Sequence, residues 1–123
     1  KTLRSEIQQQ EARANALTDR SIKELKLVVA LRPDDANAYS TLGIIYQNKA
    51  AALFDKRNAT TDNDEAAKVD TEAKTNLREA MKYYEKATEL KPDNQEYWRS
   101  LFQIYTSLGM NEKAEAAMKK AGL

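Results

Sequence analysis

Apolar and small side chains return every three or four residues over most of this chain. One stripe runs through Leu3, Ile7, Ala14, Leu17, Leu25 and Val28, with Gln10 and Ser21 in register, up to Pro33. A second runs through Ala66, Val69, Ala73, Leu77, Ala80, Tyr84 and Ala87, up to Pro92. Tyr46, Ala50, Leu53, Phe54 and Arg57 carry a third. Steps of three and four put side chains on one face of an α-helix. Proline lacks an N–H and disfavours helix in the residue before it, so Pro33 and Pro92 end two of these helices. Asp34 and Asp93 then stand as N-cap candidates, and Asp93 with Glu96 has the spacing of a capping box. The pattern predicts an all-α chain of about five helices, with consecutive helices antiparallel because the connections are short.

The two prolines belong to a longer correspondence. "LRPDD" and "LKPDN" lie 59 residues apart, and at that offset Leu31 matches Leu90, Tyr39 matches Trp98, Leu42 matches Leu101, Ile45 matches Ile104 and Tyr46 matches Tyr105. A match without gaps over this length indicates an internal repeat. The residues resemble tetratricopeptide repeats, helix–turn–helix units of about 34 residues with the pattern W-x2-L-G-x2-Y…A-x3-F…P. One unit reads Tyr39-x2-Leu42-Gly43-x2-Tyr46, then Ala80-x3-Tyr84-x2-Ala87 and Pro92. The next reads Trp98-x2-Leu101-Phe102-x2-Tyr105, then Ala114-x3-Met118-x2-Ala121. Ser21-x3-Leu25-x2-Val28 and Pro33 form a preceding half unit. Phe102 replaces a small residue, which predicts looser or shifted packing in the last unit.

The resemblance implies a short solenoid of stacked helix pairs forming one domain, 1–123. Residues 1–32 are then the second helix of a partial repeat, 34–91 an extended repeat and 93–121 a repeat of ordinary length. The extended repeat holds 25 extra residues, with "DKRNATTDNDEAA" among them. Helical stripes on both sides predict that both helices are lengthened and that this polar stretch is a hairpin tip near 58–64. The stripe from Leu3 to Leu17 has no partner helix in the chain. That predicts either a fragment of a longer protein or self-association through the N-terminal helix. Repeats of this kind are also similar to bacterial repeat proteins, some exported, so a bacterial envelope or periplasmic location is expected ahead of the cytoplasm.

Composition narrows the chemistry. The chain has neither cysteine nor histidine. That removes disulfides, thiol catalysis and the commonest general base and metal ligand. With no glycine-rich phosphate loop either, no enzyme, cofactor or metal is expected. Twenty basic and nineteen acidic residues leave a net charge of +1 without clustering, so nucleic acid is not a partner. The longest apolar runs, Ala50–Phe54 and Leu27–Leu31, are far short of the about 20 residues that insert in a membrane. Asp62, Asp64 and Glu65 miss the calcium-loop pattern, because Ala66 and Ala67 stand where a ligand and a glycine belong. Asp62 with Glu65 suits a helix cap instead.

The expected function is non-catalytic binding of a protein or peptide on the concave face that the first helix of each unit lines. Carried over by position, that face holds Asn37, Ser40, Ile44, Gln47 and Asn48, then Glu96, Arg99, Gln103, Thr106 and Ser107. Ser40 and Ile44 replace the Lys and Asn with which some family members grip a C-terminal carboxylate, so that specialised role is not expected. Arg99 remains able to pair a carboxylate bidentately. Most tyrosines fall on core positions, whereas Tyr83 and Tyr97 are off the signature, which predicts partial exposure. The runner-up function is a structural oligomerisation segment of a larger assembly.

Overall fold

The computed structural model describes residues 2–123 and is all-α among them. Five helices follow one another: α1 (Leu3–Leu31), α2 (Ala36–Ala59), α3 (Asn63–Leu90), α4 (Gln95–Ser107) and α5 (Asn111–Lys120). Each packs mainly on its neighbour in the chain, and α2 on α3 most extensively.

The helix boundaries have local causes. α1 and α3 stop at Leu31 and Leu90, two residues before their prolines. The caps sit one residue later than the sequence suggested. Pro33-Asp34 and Pro92-Asp93 themselves form the turns, and the next polar residue takes the cap. Asp35 accepts from the Ala38 N–H at 3.0 Å, and Asn94 from the Tyr97 N–H at 3.2 Å. Asp93 and Glu96 therefore form no capping box. Asp62 caps α3 by accepting from the Asp64 N–H at 2.9 Å. α5 starts at Asn111, and its N-cap residue, Met110, supplies no side-chain bond. α4 closes on Gly109 at φ 72°, a left-handed conformation that glycine adopts without Cβ strain. There the Met110 N–H reaches the Tyr105 carbonyl at 2.8 Å.

Leu42, Leu101 and Ile104 are the largest fully buried side chains. Each such burial contributes roughly 1.5–3 kcal/mol over exposure. Small residues let the helices approach. A Cβ on Gly43 would meet the Tyr84 ring at 2.7 Å, so the α2 backbone rests directly on that ring. Tyr83 and Tyr97 are buried, against expectation, at 9% and 7% exposure. Tyr83 stacks on Tyr39 and Tyr46, with centroids 6.5 and 5.8 Å away. The Tyr97 hydroxyl donates to Asn37 Oδ1 at 3.4 Å. Burial, reinforced by a 2.6 Å bond to Glu85, raises the Tyr105 phenol well above its ordinary pKa.

Beyond Ala50 the α2–α3 pair is held mainly by Val69, Ala73 and Leu77 and by a charged clasp. Arg57 Nη1 donates to Asp70, and Lys74 reaches the same carboxylate at 3.0 Å. Lys74 first, then Arg57, holds the Asp70 carboxyl below its ordinary pKa. The Arg57 guanidinium also lies 4.8 Å from the Phe54 ring centroid.

Candidate functional site

A pocket opens between α2 and α4. Gln47, Ala51 and Phe54 recur at steps of four and three and so share one flank of α2. Gln103, Ile104 and Ser107 face them from α4, and Leu77 of α3 contributes from the neighbouring helix. The pocket measures about 180 Å³ and no charged side chain lines it. Ala51, Phe54, Leu77 and Ile104 are apolar. The polar groups are the Ser107 hydroxyl and two amides, with Gln47 Nε2 donating to Gln103 Oε1 at 3.5 Å. A bond at that length is weak, so both amides retain donor and acceptor capacity for a ligand.

The residues assigned to the concave face are distributed unevenly around this pocket. Gln47, Gln103 and Ser107 line it. Ile44 lies exposed at 48%, one turn before Gln47 on α2. Asn48 and Thr106 are exposed as well, and the Thr106 hydroxyl donates back to the Phe102 carbonyl at 2.8 Å. Asn37 is exposed but accepts the Tyr97 hydroxyl. Ser40 is not open to a ligand: it is 8% exposed and its hydroxyl donates to the Asn37 carbonyl at 3.0 Å. Arg99 is already engaged, with Nη1 2.9 Å from Glu96 Oε1 one turn earlier. An exposed pair of this kind is weak, so a competing carboxylate can displace Glu96.

Sequence reasoning did not bring Ala51, Phe54, Leu77 and Ile104 to this site. Phe54 and Leu77 fall on core stripes, and Ile104 on a repeat match. The available signal was the four–three step from Gln47, which leads along one helix face to Ala51 and Phe54.

A family model described as "Plant specific mitochondrial import receptor subunit TOM20" matches residues 7–119. The chain belongs to this family. A comparison with curated proteins finds no match. Membership of the plant TOM20 family overturns the bacterial origin and envelope location expected from sequence. Repeat grammar reflects helix packing, so it carried no information on lineage or compartment. Among the described residues no helix is long and apolar enough to cross a membrane.

Proposed function

We propose that this chain is a non-catalytic receptor subunit of mitochondrial protein import, binding protein cargo on the concave face between α2 and α4. The observation that carries the reading is the uncharged pocket lined by Ala51, Phe54, Leu77 and Ile104 together with the Gln47 and Gln103 amides and Ser107, in a chain of the plant TOM20 family. A pocket of 180 Å³ suits one apolar side chain of a cargo segment. The Gln47 and Gln103 amides then pair with polar groups beside that anchor, and Ile44, Asn48 and Thr106 extend the contact. The helix pairs are best described as tetratricopeptide-type units with the divisions 1–32, 34–91 and 93–121.

The test is titration of a mitochondrial precursor protein into the chain by calorimetry. Phe54→Ala is expected to weaken binding about tenfold, as for an apolar anchor contact worth roughly 1.4 kcal/mol. Ile44→Glu weakens it as well. Unchanged affinity in both variants removes the concave-face reading. A second reading, self-association through α1, rests on Leu3 and Leu17, which are 73% and 64% exposed. Light scattering that stays monomeric at high concentration removes it.

A further inference from the structure

The proximal half of α1 is packed and the distal half is not. Ile22 is buried, and Leu25 and Val29 pack against the core, yet nearer the N-terminus the helix parts from α2. A cleft of about 700 Å³ lies between them. Glu11, Ala14, Asn15, Thr18 and Asp19 form its α1 wall. Lys49, Ala52, Leu53 and Lys56 form its α2 wall, and Glu72 of α3 also lines it.

The two walls match each other in register. Asp19 already reaches Lys49 at 3.8 Å, at the closed end of the cleft. From that contact, Glu11 lies eight residues back along α1 and Lys56 seven residues on along α2. In an antiparallel pair these are equivalent steps of about two turns, so Glu11 and Lys56 are the next oppositely charged pair on the same seam. They face the same space without forming an ion pair among the described residues. Between the two charge pairs, the small residues Ala14 and Ala52 permit close approach.

We infer that the N-terminal half of α1 is a clasp that closes onto α2, pivoting at Asp19–Lys49 and latching through Glu11 and Lys56. Closure buries Ala14 and Leu53 and needs only increased curvature in a long helix, which helices accommodate over several turns. Glu72 is the acidic group on α3 that faces this cleft and competes with Glu11 for Lys56. The clasp and the concave pocket lie on different flanks of α2. Lys49, Ala52, Leu53 and Lys56 face the clasp, while Gln47, Ala51 and Phe54 face the pocket. The clasp therefore stands or falls separately from cargo binding.

The absence of native cysteine allows spin labels at Gln9→Cys and Asp55→Cys, two exposed positions outside the cleft lining. Pulsed electron paramagnetic resonance on the full chain is expected to show a short and a long distance population. Lys56→Glu should lower the short-to-long ratio about fivefold, the upper range for an exposed pair. The charge swap Glu11→Lys with Lys56→Glu should restore it. A single long distance, indifferent to Lys56→Glu, overturns the clasp. So does a short population that disappears when labelled chain is diluted with unlabelled chain, because the proximity is then between molecules.

Discussion

The α2–α3 and α4–α5 hairpins share one repeat register and solve the same packing problem differently. In the first, Gly43 lets the α2 backbone lie on the Tyr84 ring, with ring atoms 2.7 Å from where a Cβ would stand. In the second, Phe102 occupies the matching position and is itself partly buried against the core. The first hairpin has helices of 24 and 28 residues, the second of 13 and 10. Length has a structural consequence. Gln47 lies beside Gln103, and α4 ends at Ser107, whereas α2 continues to Ala59. The overhang supplies Phe54 as a wall that two hairpins of equal, ordinary length would not have. The pocket thus arises from a mismatch between neighbours, not from the repeat itself.

The comparison breaks first at the core. Leu42→Ala and Leu101→Ala remove matching side chains with 0% exposure, and each should cost about 2–5 kcal/mol in urea unfolding. Near-equal losses would mean that the two units are equivalent beneath their different surfaces. Next is the glycine. Gly43→Ala drives a Cβ into the Tyr84 ring, and overpacking of this kind costs about 1–3 kcal/mol. The better helix propensity of alanine offsets roughly 1 kcal/mol of that. Phe102→Leu removes volume at a partly buried position and should cost about 1 kcal/mol, and a larger loss there than at Gly43 would reverse the comparison.

Smaller effects follow at the caps and the clasped tip. Asp35→Ala and Asn94→Ala each remove a cap bond and should cost about 1 kcal/mol in thermal or urea melts. Asp70→Asn tests the charged clasp that only the long hairpin has. Its folded pKa is lowered, so its stabilising effect is present above the unfolded value of about 3.9 and fades as pH falls through the folded one. The wild-type chain should melt higher than Asp70→Asn at neutral pH, and the gap should close in acid. A gap that persists in acid would mean the carboxylate's charge is not what holds Arg57 and Lys74.

Helix content and its punctuation were written in local sequence. The three–four stripes and Pro33 and Pro92 act within a turn or two of themselves, so the all-α architecture and the ends near Leu31 and Leu90 could be read directly. Asp62 caps where expected, but the caps after Pro33 and Pro92 lie one residue on, because two adjacent polar residues compete for the position and only the turn geometry chooses. Tyr83 and Tyr97 depart from the sequence expectation for a different reason. Their burial comes from Tyr39, Tyr46 and Asn37 on another helix, and a repeat signature carries no record of such contacts. Ser40 falls on the exposed face by position, yet it is buried and its hydroxyl donates to the Asn37 carbonyl one turn back.

Local order, then, the sequence by itself determined: the helices, their ends and the greater length of one hairpin follow from backbone sterics and hydrophobic period. Only tertiary structure decided which of those side chains meet. The pocket joins residues up to 60 positions apart, from Gln47 to Ser107. The cleft depends on where α1 parts from α2. Both depend on how helices of unequal length stack, and that is set by summed packing over the whole core, which no single stripe contains.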